Sequence, residues 1–354
     1  MKTLCNMVLL LMMIPFLASA TGIEEGKHNK QKRITKAYKV NDDAGIDIDT
    51  QFGPVFVTTW DEDKIELDIV IKVSGNNEDW VDKRLNSIDV DINALVNLVS
   101  AKTRIGHISG RSGNGNTMEI NYTVKIPKRG SMKVTNKYGD VISTEINGPV
   151  RLNVQYGNVK LSRLNNSSNV LDLQYCGSVS IEKIKAGNID ADYSKLTVGD
   201  FDALTLETNY TDVKATGGGN LVYDSNYGKL SFAKINNIEG KGDYLTVFAD
   251  ELTGNLKINA DYTNIKVANV GASAGNIQIS GDYNTTSLEY SSAYNFDFEI
   301  AGKYTNMRID DELTINSKIE NNRDKIYKGH NRKAGGKKIQ VLGQYGNVTL
   351  KSNR

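Results

Sequence analysis

The chain of 354 residues contains two cysteines, Cys5 and Cys176. Loss of the first twenty residues would leave only Cys176, so no internal disulfide framework is available. Histidine is as scarce: His28, His107 and His330 stand far apart, without metal-ligand spacing. No metal and no cofactor are therefore expected. Neither sign of charge is in excess, with 43 Lys and Arg against 42 Asp and Glu. A balanced chain has no global basic field, which argues against nucleic acid as a partner. Long apolar runs are absent apart from Met7–Leu17, which is too short for a permanent membrane-spanning helix. There is no phosphate loop, dinucleotide fingerprint or serine elbow, and no histidine motif adjoins Cys176. The reading is of a protein that is not an enzyme.

What the N-terminus does have is Met1-Lys2, the apolar run, and a small-residue ending Ala18-Ser19-Ala20. This is the pattern of a secretory signal peptide over residues 1–20. The polar stretch that follows, with Lys27, Lys30, Lys32 and Arg33, reads as a flexible leader over 21–36. Residues 37–130 read as an N-terminal β-rich cap. Its strongest strand pattern is Ile65–Val73, and Asn77 can cap one short helix near 77–87, with Trp80, Val81, Arg84 and Leu85 at helical spacing.

From 131 to the C-terminus the sequence repeats on a tyrosine. The column is Tyr138, Tyr156, Tyr175, Tyr193, Tyr210, Tyr227, Tyr244, Tyr262, Tyr283, Tyr304 and Tyr345, with early spacings of 18, 19, 18, 17, 17, 17 and 18 residues. Gln51-Phe52-Gly53 looks like a distant copy. Six and four residues before the tyrosine are apolar positions, such as Leu256 and Ile258's counterparts throughout; three and five residues after it are apolar again, as Ile265 and Val267. The residue two before is often small. Each unit is thus two short strands joined at a corner. A fixed period of this size signals a stacked repeat. Corner pairs such as Ser194-Lys195 and Thr211-Asp212 do not suit a two-residue hairpin, which needs two positive φ values. The expected fold is all-β, a parallel β-solenoid of 17–21-residue coils, with an antiparallel β-meander as the alternative. Cys176-Gly177-Ser178 makes one corner a residue longer and predicts a local bulge.

Strict period-two alternation places the tyrosines on the same face as the apolar positions. They are then an inward structural ladder, and the column just before them faces out. That outer column, Asp192, Asn209, Asn226, Asp243, Asp261 and Asp282, is a possible ligand face. Its acids and amides are calcium-type ligands, but the glycine–aspartate nonapeptide of calcium solenoids is absent, and a solvated face is preferred. Residues 320–338 lose the register and carry Arg323, Lys325, Lys328, Arg332 and Lys333, so they read as a basic loop.

Two further strings carry a resemblance: Tyr122-Thr123-Val124-Lys125-Ile126-Pro127 and Val134-Thr135-Asn136-Lys137-Tyr138-Gly139-Asp140-Val141, echoed by Tyr-Gly-Asn-Val at Tyr156 and Tyr345. With them, residues 37–350 resemble the bacterial putative-adhesin family of β-strand-repeat proteins, close to the auto-transporter adhesin head GIN domain. The resemblance implies a β-helix-like fold, export and no catalysis. The functional expectation is an exported, adhesin-like protein of the periplasm, outer-membrane surface or extracellular space. The alternative is a glycan-binding module using the aromatic or Asp/Asn columns. The partner is unknown, a glycan or an envelope or surface protein.

Overall fold

The computed structural model describes residues 26–108 and 115–353. Residues 1–20, where a signal peptide is expected, lie outside the described residues. The fold is all-β with a single helix among the described residues, Glu78–Asn86. The helix starts where Asn77 accepts a hydrogen bond from the Trp80 N–H at 2.8 Å, satisfying one of the orphan donors of the first turn. Glu78 and Asp79 fill that first turn, Lys83 and Arg84 the last, and Val81 is buried.

The repeats contribute two faces. One holds the strands that approach each tyrosine, the other the strands that leave it. On the approach face Val150–Gln155 pairs in parallel with Met132–Lys137 and with Asn169–Gln174. On the exit face Val159–Leu164 pairs in parallel with Val141–Ser143 and with the start of Val179–Asp192. From Val179–Asp192 onward approach and exit segments often join into one bent strand. Lys195–Asn209 pairs with Asp212–Asn226 over its whole length, residue i with residue i + 17. Apolar side chains of both faces, including Leu196, Leu206, Val213, Leu221 and Leu230, meet between them as one core. The longer corner at Cys176 keeps the register: Val159, Val179 and Leu196 are neighbours, so the extra residue is absorbed before Val179.

Antiparallel strands close both ends. At the N-terminal end His28–Lys39 pairs with Lys64–Gly75, which pairs with Thr117–Pro127. The expected flexible leader is therefore a strand from His28 onward. Its polar sequence conceals it because it pairs along one side only, at the margin of the sheet. At the other end, part of the expected basic loop is also strand. Asp324–Asn331 lies antiparallel between Phe296–Lys303 and Thr314–Glu320. Its charges are partnered, as Lys328 with Glu299 at 2.9 Å and Lys325 with Glu320 at 3.5 Å.

Spatial order departs from chain order at this end. The last two strands, Lys337–Gln344 and Asn347–Asn353, lie between the repeat of Tyr283 and that of Tyr304. The chain lays down both neighbours first and then returns to fill the space between them.

Candidate functional site

Each repeat turns at its tyrosine by placing that residue in the left-handed region. All eleven tyrosines of the column and Phe52 have φ between 48° and 62°; among described non-glycine residues only Arg332 shares this feature. Such a conformation costs a non-glycine residue about 1–2 kcal/mol. The peptide ladder continues through the corner: the Tyr210 N–H donates to the Asn226 carbonyl and the Tyr227 N–H to the Asp243 carbonyl, both at 3.1 Å. The next residue points inward and secures the bend. The Thr211 hydroxyl donates to the Ala191 carbonyl at 2.8 Å and accepts from the Ser194 N–H at 3.1 Å. The Ser194 hydroxyl accepts from the Cys176 N–H at 3.0 Å, and Thr263 accepts from the Leu245 N–H at 3.2 Å.

The left-handed residue uses up one step of the alternation. Two successive residues, the one before the tyrosine and the tyrosine itself, consequently face out. The expected inward ladder is thereby corrected: the eleven rings are 44–54% exposed. They still form a ladder. Rings run Phe52, Tyr138, Tyr156, Tyr175, Tyr193, Tyr210, Tyr227, Tyr244, Tyr262, Tyr283, Tyr345, Tyr304, with centroids 4.7–5.4 Å apart and planes within 18° of parallel. The spacing is that of neighbouring strands, so the backbone sets it. Each stacked contact is worth about 0.5–1.5 kcal/mol, comparable with the backbone strain at each corner.

Sequence reasoning missed the inward column that replaces the tyrosines. Its signal was present: the position after the tyrosine is Gly157, Cys176, Ser194, Thr211, Gly228 and Thr263, small or hydrogen-bonding residues at the start of a strand.

The Asp/Asn column lies beside the rings, on their own face and not opposite them, and its atoms are engaged with one another. The Asn209 amide donates to Asp192 at 3.1 Å, and the Asn226 amide to Asn209 at 3.4 Å. Asn226, Asp243 and Asp261 accept the backbone N–H of Asp243, Asp261 and Asp282 at 3.0, 2.9 and 2.7 Å. Asp282 accepts from the Gln344 N–H at 2.9 Å. Two residues further from the corner lie Asp172, Asp190 and Glu207, successive neighbours on the same face. Burial, then the charges of Asp192, Asp172 and Glu207, push the Asp190 carboxyl up.

Where this face reaches the C-terminal end its chemistry changes. Ile326, Ala301 and Leu342 are in-register neighbours, beside Gly302 and Gly343, and line a shallow groove of about 440 Å³. Asp282 and Asp324 border it. Asp282 just follows strand Ile277–Ser280, and two strands separate that strand from Asp324–Asn331, so the two backbones are about 14 Å apart by strand spacing. Carboxylate pairs that cleave glycosides are about 5–9.5 Å apart. His28 and His330 sit at opposite ends of the molecule, in strands His28–Lys39 and Asp324–Asn331.

No family matches the chain, and no curated protein does. Solved structures do. A putative cell adhesion protein from Clostridium sporogenes is 12% identical over 92% of this chain and 100% of its own, with a TM-score of 0.17. A putative adhesin from Bacteroides fragilis is 15% identical over 91% and 97%, with a TM-score of 0.26. One from Parabacteroides distasonis is 10% identical over 90% and 97%, with a TM-score of 0.33.

Proposed function

We propose that this chain is an exported, non-enzymatic, adhesin-like protein of the bacterial envelope, built as a parallel β-solenoid, with the tyrosine ladder as its contact strip. The observation that carries this is a strained, solvent-facing aromatic at every corner. Glycine or asparagine would make the same bend with less strain, so the backbone alone gives no reason for a large ring. Strain kept at a surface is a pointer to a surface task. Stacking fixes the rings before any partner arrives, which lowers the ordering cost of binding. The solenoid reading is supported by the parallel registers offset by one repeat, and export by residues 1–20. Residues 26–130 would then cover one end of the array.

Ring faces are occupied by neighbouring rings along the ladder. Contact is therefore made through ring edges and phenol hydroxyls, which suits a protein surface. Glycan binding is the second reading, favoured by the hydroxyl row flanked by amides and carboxylates. The test has two parts. Fractionation of the producing cell with surface proteolysis should find the protein outside the cytoplasm. Purified protein is then assayed against immobilised matrix proteins and glycans. The triple change Tyr193→Phe, Tyr210→Phe, Tyr227→Phe keeps the stack and removes three hydroxyls; binding should fall at least about tenfold, with unfolding unchanged. Binding that survives it undiminished rules out the ladder as the contact.

A further inference from the structure

The final segment, residues 337–353, is held on both sides and on both faces. Lys337–Gln344 pairs with Ile277–Ser280 and with Phe296–Lys303. Asn347–Asn353 pairs with Thr285–Ser291 and with Asn306–Ile309. Ile339, Val341, Val348 and Leu350 enter the core, and Tyr345 completes the ladder between Tyr283 and Tyr304 at 5.1 and 5.2 Å. Without this segment the neighbours would present two unpaired edges on each face, and an unpaired edge is a template for another strand.

Both neighbours precede the segment in sequence, so the slot can exist before its occupant is available. The covalent tie is short. Residues 332–336 cross the start of Phe296–Lys303, where the N–H groups of Lys333 and Lys337 donate to Asn295 at 3.0 Å and that of Gly335 to Asp297 at 3.1 Å. Arg332 and Gly335 both take positive φ, 65° and 86°. Extending this link would release the strain at Arg332, with Gly335 free to take either sign of φ, and swing the segment outward as a unit.

We propose that the slot is a self-recognition site: two copies of the chain exchange residues 337–353 and form a two-fold dimer. The strand pairings and core contacts of residues 337–353 are then made between copies, with identical chemistry, and only the link changes conformation. The dimer presents two tyrosine ladders, and paired sites raise avidity without any new contact. The exchange itself does not depend on what the ladder binds.

The test uses the full-length protein and a native ion pair that spans the slot, Lys351 with Glu289 at 3.2 Å. Equal amounts of ¹⁵N-labelled and unlabelled protein are unfolded together and refolded at high concentration. Gel filtration separates any dimer, and a zero-length carbodiimide joins lysine to carboxylate. In the dimer about half of the Lys351–Glu289 links should join a labelled to an unlabelled peptide, as random pairing requires. Lys234–Glu251, an ion pair at 3.1 Å in mid-array, should give links of one isotope only. Co-expression of two differently tagged copies supplies the same comparison without refolding. Absence of dimer in both procedures, or a dimer whose Lys351–Glu289 links are all of one isotope, overturns the proposal.

Discussion

Tyr227 stacks on Tyr210 and Tyr244 at 4.8 and 4.9 Å and holds a φ of 54°. Cutting it to alanine removes both stacked contacts and leaves the strain, a loss of roughly 1–3 kcal/mol. Glycine at the same position loses the contacts but relieves about 1 kcal/mol of strain. Denaturant midpoints should therefore fall in the order Tyr227→Phe, Tyr227→Gly, Tyr227→Ala. In an ordinary strand glycine is worse than alanine, so that order would remove the corner from the explanation. Tyr223, four residues earlier, is buried over Gly240, where a Cβ would meet its ring at 2.0 Å; its change to alanine should cost about 3–5 kcal/mol. Period-two reasoning identifies Leu221 and Leu230 as inward but reverses Tyr227, because it assumes extended backbone throughout. Nothing in a tyrosine announces positive φ. The same reasoning makes Asn226 a free solvated residue, whereas its side chain accepts the Asp243 N–H.

A second residue-scale expectation concerns pH. The Tyr122 phenol is buried, which pushes it up to about 12, while a 2.6 Å hydrogen bond with Thr103 opposes the shift. The folded state thus keeps a proton that the unfolded chain releases near pH 10. Stability from this group is intact below about pH 10 and is lost as pH rises towards about 12, by about 2–3 kcal/mol. Tyr122→Phe should be less stable at neutral pH, having lost the hydrogen bond, and should decline less steeply across that window. Unfolding curves between about pH 9 and 12 make the comparison.

At the scale of elements, the helix was legible because Asn77, the early acids and the later bases act locally. The strands His28–Lys39 and Asp324–Asn331 were not. Both are rich in lysine and arginine, and what orders them is pairing with segments more than twenty residues away or with a neighbour hidden by a turn. On His28–Lys39, which pairs along one side only, basic side chains suit a sheet margin, where they also discourage unwanted pairing. Protease sensitivity should follow the pairing and not the charge. Arg323 sits in the turn between two strands, and Arg332 and Lys333 lie in the crossing link. Limited trypsin digestion should cut after these before it cuts after Lys325 or Lys328, whose backbone is paired on both sides. First cleavage at Lys325 or Lys328 would mean that this strand is not held in solution.

For the whole molecule, the repeat makes a stronger demand than any one strand. If stability is a sum over repeats and their interfaces, one complete repeat can be removed without destroying the rest. Tyr193–Asn209 is such a unit. Its excision joins Asp192 to Tyr210, and the registers then bring Val179 against Val213 and Ile189 against Tyr223. The inward and outward faces are kept, and the stack passes from Tyr175 directly to Tyr210. Thr211 then stands where Ser194 accepted the Cys176 N–H, but Phe201 leaves the core and Ile184 comes against Gly218, so the shortened protein should be somewhat less stable. It should nevertheless keep a β-type circular dichroism spectrum and a cooperative denaturant transition. Excision of Tyr193–Phe201 alone removes a corner and its exit strand, leaves Asp202 following Asp192, and takes Leu196, Val198 and Phe201 out of the exit face with nothing to replace them between Val179 and Val213. That variant should not fold. Equal damage from the two excisions would show that the array behaves as one indivisible sheet, and the length of the tyrosine strip could not then be altered one ring at a time.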